Sequence, residues 1–208
     1  ALWDGKVLWT RQGNKIMAPS WFIEALPAEA MDGELWLGRG QFERLSGIVR
    51  TQRPDDEEWR LVKYMVFDLP DSEHVFEQRQ QALNQLVRQS NLPHLVAVKQ
   101  LKIDKPMHLQ PLYRQLINAG AEGVMLNSPA GKYKIGRDKK LLKLKPYSDD
   151  EAEVLAYIGG RGKYQDKLGA ILVRSRSGLV FKLGSGFSDE ERASPPKIGS
   201  IVSYKYSG

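Results

Sequence analysis

Glu122-Gly123-Val124-Met125-Leu126 and Leu141-Leu142-Lys143-Leu144-Lys145 begin and end the most informative stretch of this sequence. Side chains alternate between the two faces of a β-strand, so a strand over the second pentapeptide puts both lysines on one face and the leucines on the other. Two neighbouring ammonium groups repel each other unless an anion lies between them, and a phosphate is the natural anion. A strand with two solvated lysines is the simpler interpretation, and for this pattern alone it is the more frequent one.

The second half of this stretch is strongly basic. Residues 131–147 contain seven basic residues and one acidic residue, so this segment alone accounts for the net charge of +6. A concentrated basic segment on an otherwise neutral chain indicates a polyphosphate or nucleic-acid partner. A solvated or membrane-facing charged surface is the alternative, which the interleaved glycine, tyrosine and leucine residues disfavour. The basic residues are Lys132, Lys134, Arg137, Lys139, Lys140, Lys143 and Lys145.

Composition limits the class of protein. The 208 residues suffice for one large domain or two modest ones, each with its own core. The absence of cysteine excludes disulfides, thiolate metal sites and cysteine nucleophiles. No apolar run approaches the roughly 18 residues of a membrane-spanning helix, so we expect no membrane partner.

Hydrophobic patterning predicts an α+β domain with largely antiparallel sheets over residues 1–147. We expect a loop at 50–60 and helices over 73–90 and 106–119. The predicted strands comprise two in residues 1–22 around a turn at Gln12-Gly13-Asn14, one following Met31, one over Leu61–Leu69 that is buried on both faces, and one over Leu95–Leu101.

Composition shifts at the acidic segment Pro146–Glu151, which suits a hinge before a second domain over residues 148–208. No helical pattern is convincing beyond it. Short strands are predicted at Val154–Ile158, Ala170–Arg174, Leu179–Leu183 and Ile201–Tyr206. Such a set of strands in about sixty residues is typical of a small OB-type β-barrel.

The order of the motifs carries more information than any one of them. The sequence contains, in order, Thr10-Arg11, Asp32-Gly33-Glu34-Leu35, Val66-Phe67-Asp68 and the two pentapeptides quoted above. This series resembles the ordered motifs of the covalent nucleotidyltransferases, and most closely those of minimal bacterial ATP-dependent DNA ligases. The resemblance covers essentially the whole chain. It implies an adenylation domain followed by an OB-fold domain, with nick sealing in DNA repair, replication and recombination as the function.

The resemblance also implies roles for individual residues. Glu34 would bind the ribose of the adenylate, and Phe67 would stack on its adenine. Glu122 would hold the divalent metal, Mg²⁺ or Mn²⁺. Lys143 and Lys145 would contact the adenylate phosphate, so that these lysines and Glu122 form the catalytic set. ATP would be the cofactor, with AMP as the covalent intermediate.

Nicked duplex DNA is the implied partner of a monomeric enzyme. Arg11 would contact the 5′-phosphate of the nick, and the basic segment would contribute most of the remaining affinity through Lys132, Lys134, Arg137 and Lys139. Similarity to the minimal bacterial enzymes implies a periplasmic location, with the cytoplasm as the alternative.

Two motifs of the family are not present between residues 1 and 208. The nucleophilic lysine lies in a Lys-x-Asp-Gly motif, whereas Leu2-Trp3-Asp4-Gly5 has leucine in that position. We expect the true motif before Ala1 and the last basic motif after Gly208. RNA ligases and capping guanylyltransferases share the observed motifs, and a non-catalytic nucleic-acid-binding module is the alternative from another class.

Overall fold

A computed structural model describes residues 1–206 and divides the chain into two compact units, with the division between Leu144 and Lys145. The predicted hinge segment lies largely in regular structure, because a long strand begins at Ser148. Only residues 145–147 separate this strand from the last strand of the first unit.

A five-stranded sheet forms the centre of the first unit, in the order β2-β1-β3-β4-β5. Its strands are β1 (Leu2–Trp3), β2 (Leu8–Trp9), β3 (Met31–Trp36), β4 (Lys63–Asp68) and β5 (Leu95–Ala97). Only β5 pairs in parallel, with β4, so the predicted predominance of antiparallel pairing is confirmed. The predicted turn at Gln12-Gly13-Asn14 follows β2 and does not connect β1 to β2, which flank residues 4–7.

Strand β4 is buried on one face only, and the prediction of burial on both faces was wrong. Tyr64 and Val66 are fully buried, whereas Lys63 and Phe67 are exposed on the opposite face. The apolar Met65 and Phe67 concealed this alternation in the sequence. The sheet therefore has an open face on which an aromatic side chain is available to a ligand.

Five α-helices lie in the first unit, and the first four of them contribute buried side chains to the core. They are α1 (Ser20–Ile23), α2 (Phe42–Arg50), α3 (Asp56–Arg60), α4 (Phe76–Ser90) and α5 (Leu109–Asn118). The structure confirms α4 and α5, but the loop predicted at 50–60 is partly α3, which Asp55 caps through the amide of Glu58. Trp59 of α3 is fully buried in the core. No helix within residues 1–206 is both long and apolar enough to cross a bilayer.

The two pentapeptides form a separate two-stranded antiparallel sheet from β6 (Val124–Asn127) and β7 (Leu141–Leu144). Met125 pairs with Lys143, and Val124 pairs with Leu144. The strand ends at Leu144, so the expectation that Lys143 and Lys145 share one strand was wrong. Lys145 is the first residue of the second unit.

The second unit is an open antiparallel sheet in the order β10-β9-β8-β11. Its elements are β8 (Ser148–Gly159), β9 (Leu168–Ser175), β10 (Val180–Leu183), α6 (Asp189–Ala193) and β11 (Ile201–Tyr206). The predicted strands are present, but within residues 145–206 the sheet does not close into a barrel, because β10 and β11 lie at opposite edges. Helix α6 was not predicted, although Ser188 and Glu191 form a complete capping box.

Candidate nucleotide and nucleic-acid site

The open face of β3 and β4 brings two of the predicted nucleotide-binding residues together. Glu34 is exposed on β3 and pairs with Met65 of β4. The register shifts so that Asp32 pairs with Asp68 while Gly33 pairs with Val66, which leaves Phe67 in a bulge. Bulges often redirect a side chain near a functional site. Phe67, which is 37% exposed, and Glu34 therefore lie on the same open face.

Close packing at Gly33 fixes the backbone that carries Glu34. A Cβ atom at Gly33 would lie 2.7 Å from the carbonyl oxygen of Met65 and 2.7 Å from the ring of Tyr64. The hydroxyl of Tyr64 donates a hydrogen bond of 2.6 Å to the carbonyl of Met31, and burial raises the pKa of this phenol. Only glycine leaves room for this packing, which explains why the motif requires it at this position.

A buried ion pair supports Phe67 from behind the sheet. Asp68 accepts from Nε and Nη2 of Arg79 at 2.6 and 2.9 Å, with the arginine side chain 3% exposed. Nη1 of Arg79 also donates to the carbonyls of His74 and Gly131, at 2.7 and 3.0 Å. Since Asp68 directly follows Phe67, this pair holds the end of β4 in place.

The same region anchors the beginning of the basic segment. The hydroxyl of Tyr133 donates to Oδ2 of Asp32 at 3.0 Å. Burial raises the pKa of Asp32, although this hydrogen bond acts in the opposite direction, and burial beside Asp32 raises the pKa of Tyr133. The amide of Phe76 donates to the carbonyl of Gly131 at 2.7 Å. Residues 131–133 are thus attached both to β3 and to the start of α4.

Beyond this anchor the segment presents its cations to solvent. The exposed side chains include all four predicted DNA contacts, Lys132, Lys134, Arg137 and Lys139. None of these four forms a salt bridge with another residue of the range 1–206. Unpaired exposed cations are free to contact phosphates without first breaking an internal ion pair.

The remaining predicted site residues lie on separate elements. Glu122 is exposed in the bend before β6, and Lys143 is exposed on β7. Arg11 is exposed in the turn after β2. Lys145 belongs to the second unit, so β7 positions Lys143 alone.

A divalent metal ion would need carboxylate ligands from this chain. Within residues 1–206, no three acidic or histidine side chains converge on a point where they could hold a metal ion. Mg²⁺ commonly binds through one or two carboxylates and takes its other ligands from water and substrate phosphates. The exposed carboxylate of Glu122 fits that mode.

Sequence reasoning missed the supporting residues of this site. Arg79 and Tyr133 were not singled out, and Asp68 served only as part of a motif. Arg79 occurs as one polar residue on an amphipathic helix, which carries no signal for an ion pair. Tyr133 did have a signal, because it is the one aromatic residue flanked by two lysines within residues 131–135.

Two families of known proteins match most of the chain. The family described as "ATP dependent DNA ligase domain" matches residues 24–145, and the family described as "DNA ligase OB-like domain" matches residues 159–208. A DNA ligase of Haemophilus influenzae is 35% identical over 206 residues, which is 99% of this chain and 76% of that protein.

Solved structures give the same result. A Lig E DNA ligase, studied for DNA binding with a minimal scaffold, superposes with a TM-score of 0.78 at 41% identity, over 100% of this chain and 81% of that one. The Chlorella virus DNA ligase-adenylate shares the fold, with a TM-score of 0.56 at 23% identity, over 96% of this chain and 79% of that one. The chain therefore belongs to the ATP-dependent DNA ligase family and combines its adenylation domain with its OB-like domain.

Proposed function

We propose that the protein seals nicks in duplex DNA by three successive transfers at phosphorus. A lysine Nζ attacks the α-phosphorus of ATP and pyrophosphate leaves. The 5′-phosphate of the nick then attacks the adenylate and the lysine leaves. Finally the 3′-hydroxyl loses its proton, attacks the 5′-phosphate and displaces AMP. The lysine of the family's Lys-x-Asp-Gly motif would be this nucleophile.

One observation carries this proposal: Glu34 and Phe67 share the open face of strands whose ends also anchor the basic segment. The carboxylate of Glu34 can accept hydrogen bonds from ribose hydroxyls, and the exposed ring of Phe67 can stack on adenine. The cations that follow Tyr133 start beside this face. Nucleotide and DNA would thus be bound by neighbouring parts of one unit.

The transfers also need positive charge at the phosphates. We propose that Lys143 and Lys145 supply it. Glu122 would hold Mg²⁺ or Mn²⁺, which neutralises charge on the phosphate oxygens. Both effects act on the transferred phosphoryl group, so they are expected to contribute to both adenylation and sealing.

DNA binding is proposed to depend on phosphate contacts from the basic segment and from Arg11. The related Lig E enzyme was studied for its binding of DNA, which supports the same partner here. Neutralising backbone phosphates releases counterions, so affinity must fall as salt rises. We further propose that the protein is a monomer located in the periplasm, which light scattering and cell fractionation would test.

The test uses the full-length protein with radiolabelled ATP and a duplex containing one nick. We expect label on the protein, then on the 5′ end of the nick, and finally a sealed strand. Glu34→Gln and Phe67→Leu should lose adenylation. Their controls, Glu43→Gln and Phe42→Leu, change exposed residues of α2 and should retain it. Sealing of nicked RNA alone, or transfer of GMP in place of AMP, would contradict the proposal.

A further inference from the structure

We propose that Tyr133 is a positioning residue for the DNA-dependent steps. This inference rests on the proposed function of nick sealing. Its hydroxyl bonds to Asp32 and thereby holds the beginning of the basic segment against the strands that carry Glu34 and Phe67. Neither Tyr133 nor Asp32 needs to touch the reacting atoms for this role.

Side-chain direction in the segment supports this role. Tyr133 is half-buried, whereas its neighbours Lys132 and Lys134 are exposed. In extended backbone, alternate side chains point to opposite sides. An inward tyrosine between two outward lysines therefore fixes the side on which both cations appear.

The backbone before Tyr133 is held independently of its side chain. The carbonyl of Gly131 accepts from Arg79 and from the amide of Phe76, at 3.0 and 2.7 Å. Lys132 forms an isolated antiparallel bridge with Val75. If the hydroxyl of Tyr133 is removed, residues 131–132 stay in place. The change removes the only side-chain hydrogen bond that residues 133–137 make within the described part of the chain.

The partial burial of Asp32 strengthens its hydrogen bond with Tyr133. Asp32 lies at the bulge, partly removed from water, and a partly desolvated carboxylate needs hydrogen-bond donors. A hydroxyl that donates to a carboxylate forms a charge-assisted bond, stronger than one between neutral groups. The segment is thus held by a bond that is costly to break without replacement.

Loss of this bond should affect DNA binding and leave nucleotide chemistry nearly unchanged. The backbone at Glu34 is fixed by pairing with Met65 and by the packing of Gly33 against Tyr64. Neither interaction involves Tyr133. The far end of the segment is held separately, because the carbonyl of Lys140 accepts from the amide of Ser128 at 2.9 Å. Lys134 and Arg137 make no side-chain hydrogen bond within residues 1–206, so we expect the position of these two cations to depend on the Tyr133 bond.

The experiment compares full-length wild type, Tyr133→Phe and Tyr113→Phe. Tyr113 is half-buried on α5, and its hydroxyl makes no hydrogen bond within residues 1–206. For Tyr133→Phe we expect the adenylation rate to stay within about twofold of wild type. The Kd for nicked duplex should rise about tenfold, as expected when one hydrogen bond to a charged group is removed. Tyr113→Phe should match wild type in both assays.

A double-mutant cycle identifies the partner. Asp32→Ala, which removes the acceptor, and its combination with Tyr133→Phe are measured for nicked-duplex Kd in the same way. If the two groups act through one bond, the Kd of the double variant for nicked duplex should be no higher than the higher Kd of the two single variants. Additive losses would overturn the proposal.

Three other outcomes are decisive. Unchanged DNA affinity in Tyr133→Phe would overturn the proposal, and so would an equal loss of adenylation, which indicates a general structural role. Unfolding of both Tyr133→Phe and Asp32→Ala would also overturn it, because the bond would then be part of the fold. Failure of wild type to seal any nick would instead contradict the proposed function.

Discussion

Arg79 and Asp68 form a two-point ion pair inside the first unit, with N···O distances of 2.6 and 2.9 Å. The pair joins the end of β4 to the start of α4, and Arg79 extends it to the basic segment through the carbonyl of Gly131. A buried pair of this kind contributes little over an apolar replacement, but removal of one partner leaves an uncompensated charge.

Arg79→Met should therefore lower the free energy of unfolding by about 3–5 kcal/mol. Urea denaturation measures it. The double variant Asp68→Asn/Arg79→Met should recover part of the loss, because no buried charge remains. As a control, Arg44→Met breaks the exposed pair with Glu58 and should cost no more than about 1 kcal/mol. Equal losses in both single variants would contradict the argument from burial.

Gly33→Ala should destabilise the first unit and impair nucleotide binding together. The added methyl would meet the carbonyl of Met65, which cannot move without disturbing the β3–β4 pairing. We expect a loss of about 1–3 kcal/mol, typical of overpacking, measured by thermal and urea unfolding. Gly47→Ala is the control: nothing lies within 4 Å of its added Cβ on helix α2, so the change should be neutral or stabilising.

The first unit should lose stability as pH falls below 6.5 because of His94. Burial lowers the pKa of His94 from 6.5, and its Nε2–H donates to the carbonyl of Phe22 at 3.0 Å. A base with a depressed pKa binds fewer protons in the folded state. Its contribution is therefore complete above pH 6.5 and is lost as pH falls through the folded pKa.

Unfolding free energies at pH 7 and pH 5 would test this titration. His94→Gln keeps an N–H donor but does not titrate, so its loss of stability over this interval should be smaller than that of wild type. The exposed His108, replaced in the same way, should leave the wild-type difference unchanged. A wild-type difference that survives in His94→Gln would assign the effect to other groups.

Strand patterns and the order of the motifs predicted most of the architecture, because both can be read from the sequence without knowing which distant residues are in contact. The alternation around Lys143 and the strand before Asp68 are both visible in single segments. Helix α3 was missed because its five residues are mostly charged, with only Trp59 to indicate a buried face. The open sheet of the second unit was not predictable, since closure depends on how distant strands pair.

Only the site residues that belong to a recognised motif could be predicted from the sequence. Glu34 and Phe67 lie on one face because strand register and a bulge place them there, and the motifs already implied a shared ligand. The supporting contacts were not predictable, because Tyr133 reaches Asp32 across 101 residues of sequence. Contacts of this kind follow from the tertiary fold and leave no periodic signal in the chain.

The basic segment should dominate the salt dependence of DNA binding. We expect the combined alanine variant of Lys132, Lys134, Arg137 and Lys139 to reduce the slope of log K against log salt by about 0.9 for each phosphate that the protein no longer neutralises. Titration of nicked duplex at several salt concentrations measures it. The control removes the same total charge from exposed arginines elsewhere, namely Arg50, Arg53, Arg60 and Arg88. Equal slopes for the two variants would show that net charge matters and its location does not.

Lys143 and Lys145 should be needed for catalysis and dispensable for folding. Lys143 is exposed on β7 and Lys145 lies beyond its end, so alanine at either position removes little buried surface. Removing one charge-assisted hydrogen bond to the developing phosphoryl charge should lower the rate about a hundredfold or more. Adenylation with labelled ATP and sealing of a pre-adenylated nick are measured separately in the full-length protein, because they are different transfers at phosphorus.

The matched control is Lys182→Ala, which removes an exposed lysine from strand β10 and should leave both rates unchanged. If the rate of adenylation or sealing falls in both lysine variants while the free energy of unfolding is unchanged, Lys143 and Lys145 take part in the chemistry. If both variants instead adenylate and seal at rates near wild type, the two lysines form a solvated surface. The family motif would then be present in this chain without its function, because the strand that was expected to direct both lysines to one phosphate ends at Leu144.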